Sequence, residues 1–123
     1  MTDNWATPSW LMEMFKDWYD PCPISKGTLR DSDGLGDWKD RTFVNPPYSK
    51  PKEWVIKAIE ENKKGKMIVM LMKMDTSTQW FKMLQEAGAQ FLWFNGRLKF
   101  SDTGKPANFP SMLVIMKGGN NGI

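Results

Sequence analysis

A chain of 123 residues is enough for one real hydrophobic core and leaves no length for a second module. Its 41% apolar content, with seven Trp and seven Phe, excludes a disordered polymer despite the negative mean hydropathy. A single cysteine excludes an intrachain disulfide, and without histidine a metal site would rest largely on carboxylates, so no metal is expected. No apolar run reaches the length of a membrane span and no basic stretch precedes an apolar one at the N-terminus, so a soluble, cytoplasmic protein with no membrane association is expected. The net charge is only +3, but Lys50 to Lys73 holds seven lysines against three glutamates. Such a run is read equally well as a solvated helical face or as a phosphate-contacting one.

In chain order, Thr7-Pro8 predicts a helix start, with Thr7 as N-cap and Pro8 at the first helical position. Trp10, Leu11, Met14, Phe15 and Trp18 then recur at helical spacing and form one broad apolar face. Trp18 to Asp20 predicts a very short strand ended by Pro21, with Asp20 at its carboxyl end. There it can face a ligand, or cap the turn that follows. Ser25 to Asp40, with three glycines and four aspartates, predicts a loop of about fifteen residues in which Trp38 anchors to the core or stacks on a ligand. Arg41 to Val44 predicts a strand.

That strand must stop at Asn45, because Pro46 and Pro47 can donate no ladder hydrogen bond. Each proline fixes its own φ and pushes the residue before it towards extended backbone, so Asn45-Pro46-Pro47-Tyr48 is stiff before any ligand arrives. A turn of this kind can aim the Asn45 side-chain oxygen and the Pro46 carbonyl at one point. An amino group with two hydrogens can donate to both, and Tyr48 offers a ring on which a planar base can stack.

Pro51 to Asn62 predicts a helix with Trp54, Val55, Ala58 and Ile59 inward, closed by Lys63-Lys64-Gly65. Met67 to Met72, unbroken in apolarity, predicts a central strand covered on both faces and parallel to the one before it. Asp75-Thr76-Ser77 predicts the cap of a helix reaching about Glu86, with Trp80, Phe81 and Leu84 inward. Ala89 to Phe94 predicts a strand, Asn95-Gly96 a hairpin turn into Arg97 to Phe100, and Ser111 to Met116 a last strand. The whole predicts a mixed sheet with an antiparallel edge in a single domain over residues 1–117, followed by a flexible Gly-rich tail over 118–123.

The Pro-Pro-aromatic stretch resembles the signature of amino-group methyltransferases. Trp5-x-Thr7-Pro8, Tyr19-Asp20-Pro21-Cys22, Val44-Asn45-Pro46-Pro47-Tyr48-Ser49, Thr76-Ser77-Thr78-x-Trp80-Phe81 and Gly96-Arg97-x-x-Phe100 follow the order of the phage-type DNA N6-adenine methyltransferase (Dam) family, over about Trp5 to Met116. The motifs are individually short and jointly specific. There is no Gly-x-Gly loop of the common methyltransferase kind; the family resembled also lacks it and has Asp-Pro-Cys or a variant in its place.

The resemblance implies a reduced Rossmann-like α/β fold and S-adenosylmethionine as cofactor. It implies catalysis by Asn45, Pro46, Pro47 and Tyr48, and a cofactor pocket involving Thr7, Pro8, Asp20 and Pro21. DNA is the implied partner, with Lys50, Lys52 and Arg97 as candidate phosphate contacts, and a second copy of the chain is a further candidate partner. The acid that would hold the cofactor ribose stays unassigned among Asp31, Asp33, Asp37 and Asp40. Two other readings stand beside this one: a non-catalytic nucleic-acid-binding remnant of the same fold, and the same chemistry on cytosine N4, an RNA base or glutamine. DNA recognition is expected to be short or loose, because only the loops at Ser25 to Asp40 and Ser101 to Phe109 are free to enter a groove.

Overall fold

The computed structural model describes residues 7–22, 24–25, 28–29, 36–47, 49–94 and 110–118. Among them, α1 (Ser9–Met14) is followed by a two-residue antiparallel ladder of β1 (Ile24–Ser25) and β2 (Thr28–Leu29). Then come β3 (Arg41–Val44), α2 (Pro51–Lys63), β4 (Met67–Lys73), α3 (Gln79–Glu86), β5 (Gln90–Trp93) and β6 (Ser111–Met116). The main sheet has the order β3-β4-β6-β5. β3 and β4 run parallel, with Arg41 opposite Met67 and Val44 opposite Met70, whereas β4–β6 and β6–β5 are antiparallel. On the free side of β3 a single parallel bridge joins Tyr19 to Thr42, through Tyr19 N to Arg41 O at 3.0 Å and Phe43 N to Tyr19 O at 2.9 Å.

The sheet explains why β4 lacks the polar alternation of a half-exposed strand. Ile68, Met70 and Met72 join Val44, Met112, Val114 and Met116 on one face, under Trp54, Val55 and Ala58 of α2 and Trp80, Phe81 and Leu84 of α3. Val69 and Leu71 join Phe43 and Leu113 on the other face, under Leu11 of α1 and the flanking Phe15 and Trp18. Both faces are therefore covered, as the unbroken run requires. Phe15 stacks on Phe43 with centroids 4.5 Å apart and meets Trp18 edge-on at 5.0 Å, so the aromatics just beyond α1 seal the second face.

Two helix starts differ from the sequence reading. Pro8, not Thr7, is the residue before α1, and its carbonyl accepts from Leu11 N and Met12 N with no side-chain cap. The helix is a turn and a half long, so the expected broad apolar face does not form: only Leu11 is buried within it, while Trp10 is 51% and Met14 63% exposed. In α3 the cap is Thr78, whose hydroxyl accepts from Phe81 N at 3.2 Å. Asp75 instead shapes the preceding turn, its Oδ1 accepting from Ser77 N and Ser77 Oγ, which holds that carboxyl below its ordinary range. The expected loop at Ser25 to Asp40 contains part of the β1–β2 ladder, and Trp38 is buried against Trp54, the anchoring alternative. The hairpin at Asn95-Gly96, with Arg97 to Phe100, lies outside the described residues. The first residue of the expected tail is packed: a Cβ on Gly118 would lie 2.4 Å from the Gly65 carbonyl oxygen.

The lysine-rich stretch has a use that charge counting missed. Glu61 is fully buried on the inner side of α2. It accepts from Lys57 Nζ at 2.8 Å, Lys64 Nζ at 3.0 Å, Lys66 Nζ and the Trp38 backbone N–H at 3.3 Å. Lys66 also donates to the Trp38 carbonyl at 2.7 Å, so both backbone groups of Trp38 are tied to one ion cluster. Burial works against the Glu61 carboxylate, but the three ammonium groups and the Trp38 N–H outweigh it and lower its pKa from 4.5 to about 2.

A carboxyl whose folded pKa is depressed stabilises the fold above its unfolded pKa, and that contribution is lost as pH falls through the folded value. The wild-type protein should therefore lose this component between pH 4.5 and about 2. Glu61→Gln leaves the lysines facing no carboxylate and should cost about 1 to 3 kcal/mol at neutral pH, because the lysines keep some solvent contact. Urea denaturation at several pH values should show the loss together with a flatter acid limb. A variant as stable as wild type at pH 7 would contradict the account.

Candidate active site

The Asn-Pro-Pro turn lies at the carboxyl end of β3. The strand stops at Val44 and Pro46 and Pro47 are buried, so the turn is fastened to the core rather than held out in solvent. Lys50 N donates to Pro47 O at 3.3 Å, and Pro51 then opens α2, where its missing N–H costs nothing. Asn45 is half-buried; its Nδ2 donates to Thr7 Oγ1 at 3.2 Å, and its Oδ1 is shielded from water. In such a setting a hydrogen bond to a ligand counts for more than it would in solvent.

Because Tyr19 pairs with Thr42 in parallel, Asp20 and Pro21 leave the sheet from the same edge as Asn45. Asp20 Oδ1 accepts from Cys22 N at 2.9 Å, so the capping role that the sequence left open is filled. Burial pushes the Asp20 carboxyl up and the Cys22 N–H only partly offsets this. A carboxylate in that condition is stabilised by any cation that approaches it. Pro21 and Cys22 are buried, and Cys22 packs into the larger core cluster.

On the other side of the turn a cavity of about 190 Å³ is lined by Pro46, Pro51, Met72, Asp75, Thr78 and Trp80. Thr78 and Trp80 of this lining belong to the Thr76 to Phe81 motif, to which no site role was assigned from sequence; because β4 is parallel to β3, the residues following β4 emerge beside the Asn-Pro-Pro turn. A wider groove at the amino end of β3 carries Lys16, Lys39 and Arg41 together with Asp17 and Asp40, charges of both signs and remote from the turn.

Tyr48 and Arg97 lie outside the described residues, as do Asp31 and Asp33. Asp37 and Asp40 are exposed. Lys50 is exposed, and Lys52, also exposed, donates to Gln79 Oε1 at 2.9 Å across the starts of α2 and α3. Among the described residues no group of three metal-binding side chains assembles, and no helix is long and apolar enough to cross a membrane.

A stiff Asn-Pro-Pro turn stands at the carboxyl edge of a parallel strand pair, and the half-buried Asp20 leaves from the same edge. Comparison with known proteins gives the class. Residues 1–121 match the family described as DNA N-6-adenine-methyltransferase (Dam). The DNA N-6-adenine-methyltransferase of Haemophilus phage HP1 (strain HP1c1) is 30% identical over 136 residues, spanning 94% of this chain and 79% of that protein. The protein of the same name from Escherichia phage T1 is 34% identical over 95 residues, spanning 61% of this chain and 40% of its own length. No solved structure gives a significant match. The chain belongs to the DNA N-6-adenine-methyltransferase family.

The Asp20 turn contains a convenient probe of its packing, since Cys22 is the sole cysteine and is only 3% exposed. Its thiol should react with a disulfide reagent only as fast as the protein opens, and the rate should rise with urea. Immediate labelling of the native protein would show that the Asp20-Pro21-Cys22 turn is not seated against the core.

Proposed function

We propose that this chain transfers a methyl group from S-adenosylmethionine to the exocyclic N6 of adenine in DNA, within a reduced Rossmann-like methyltransferase fold. The observation that carries the reading is the shared edge: Asp20 and the Asn45-Pro46 turn leave neighbouring parallel segments side by side. That arrangement suits an acceptor and a cationic donor brought together in one cleft.

The Asn45 oxygen and the Pro46 carbonyl accept from the two amino hydrogens of the adenine. This holds the amine with its lone pair exposed and stabilises the positive charge that develops on nitrogen during transfer. Pro46 and Pro47 supply rigidity, so little of the binding free energy is lost in ordering the turn. The ring of Tyr48 stacks on the extruded base, and the cavity between Pro46 and Trp80 receives it. Asp20 fits the cofactor because a half-buried carboxylate with a raised pKa is complementary to an ammonium, and Thr7, Pro8 and Pro21 lie on the segments that flank it. When bound, S-adenosylmethionine supplies the electrophilic methyl group on its sulfonium centre. Lys50 and Lys52, exposed at the start of α2, and Arg97 contact phosphates.

Mass spectrometry of nucleosides from DNA treated with the protein and S-adenosylmethionine should show N6-methyladenine. N4-methylcytosine would change the acceptor, and an unmodified digest despite cofactor binding would favour a non-catalytic remnant. Asn45→Ala should lower turnover by at least about tenfold while cofactor affinity stays within a few-fold. Full turnover in that variant would sink the clamp.

Asp20→Asn keeps an oxygen for the Cys22 N–H and removes only the charge. It should weaken S-adenosylmethionine binding by about tenfold, the loss of a single partly solvated ion pair, with an unchanged melting temperature. Calorimetry showing normal binding would return Asp20 to a purely turn-capping role.

A further inference from the structure

Thr7 and Asn45 are 38 residues apart, and each stands immediately before a buried proline, Pro8 and Pro46. A residue before proline is confined towards extended backbone, so both ends of the Asn45 Nδ2 to Thr7 Oγ1 contact at 3.2 Å hang from restricted main chain. The Thr7 hydroxyl has no part in starting α1, where the Pro8 carbonyl receives the first-turn N–H groups and no side chain caps the helix. Its oxygen accepts instead from the Asn45 amide.

An amide has a donor end and an acceptor end, and only the acceptor end can receive a hydrogen from a target amine. An amide turned the other way would set its own N–H against the N–H of the amine. We propose that Thr7 is a positioning residue for methyl transfer: its hydroxyl oxygen holds Asn45 Nδ2 and thereby sets the amide orientation that presents Oδ1 to the acceptor amine. The inference rests on the reading of Asn45 as the amine clamp. It gives Thr7 a role distinct from cofactor contact, the role implied by resemblance. Thr7 acts on the rate of transfer through Asn45, whereas a cofactor contact would act on S-adenosylmethionine affinity.

The test compares Thr7→Val, which keeps the shape and removes the hydroxyl, with Thr7→Ser, which keeps the hydroxyl, and with Thr7→Ala as a second hydroxyl-free variant should valine disturb folding. Single-turnover methylation of adenine-containing DNA is measured at saturating S-adenosylmethionine, cofactor affinity by calorimetry and folding by near-ultraviolet circular dichroism. Thr7→Val and Thr7→Ala should each slow transfer by about tenfold, the worth of one hydrogen bond, with cofactor affinity within about twofold, and Thr7→Ser should restore most of the rate. Thr7→Val placed in an Asn45→Ala background should cause no further loss, because the hydroxyl acts through the amide. A wild-type transfer rate in both hydroxyl-free variants, alongside a slow Asn45→Ala, would overturn the role of Thr7 and leave the clamp standing. A full additional loss in the Asn45→Ala background would also overturn it, by showing that the hydroxyl acts elsewhere. A wild-type rate in Asn45→Ala itself would overturn the clamp and this inference with it.

Discussion

The parallel alignment of three neighbouring segments is the constraint on which the site depends. β3 runs beside β4 in strict register, and Tyr19 adds one parallel bridge on the other side. Parallel neighbours send their following residues out of the same edge. Asp20, Asn45 and the turn after β4 therefore leave the sheet from one edge, although they are separated by long stretches of chain. Had Tyr19 paired antiparallel, Asp20 would point to the opposite end of β3, towards Lys39 and Arg41, and the cluster would not exist. The two prolines after Asn45 convert this accident of direction into a fixed geometry, because the chain cannot extend the sheet past that point.

A second constraint keeps the edge in place from below. Glu61 gathers Lys57, Lys64 and Lys66 and ties Trp38 by its backbone, so the segment leading into β3 is clamped to α2 and to the turn before β4. Met67 N donates to Asp40 O at 2.8 Å in the same region, which begins the β3–β4 pairing. Breaking one member of a buried ion cluster is costly because the remaining charges lose their partner rather than because the cluster itself is strongly stabilising. The ion cluster lies at the amino end of β3 and the Asn-Pro-Pro turn at the carboxyl end. The strand between them is short and its last three residues are buried, so it transmits position with little slack.

Membership of the adenine methyltransferase family is what motivates the proposed purpose of these features. Methyl transfer between two bound groups demands placement above all, and a stiff turn seated on a parallel sheet edge supplies it. In the proposed reading the cavity beside Pro46 receives the acceptor, and Asp20, on the segment across β3 from β4, faces the donor. The role proposed for the Thr7–Asn45 contact extends the same principle to the orientation of a single amide.

Much of this was legible in the residues. The Arg41 to Val44 strand, the abrupt stop at Pro46, the α2 and α3 core residues, the both-faces-covered β4 and the last strand all follow from local rules of periodicity and proline chemistry, and the order of short motifs pointed to the family. Those rules concern neighbours along the chain. What they could not reach was set by contacts between distant segments. Glu61 reads as one more charge on a soluble helix until Trp38 and Lys66 fold over it. Thr7 reads as a helix cap until Pro8 takes over the start of α1 and Asn45 claims the hydroxyl. Trp10 and Met14 read as core, yet they share a helical face turned away from that of buried Leu11. Composition and spacing determined which elements form and which turn is rigid. The parallel direction of β3 and β4 could be anticipated from the strand–helix–strand order, but the pairing of Tyr19 beside Thr42, the Thr7–Asn45 bond and the Glu61 cluster were decided by tertiary structure alone, because each joins segments far apart in the chain.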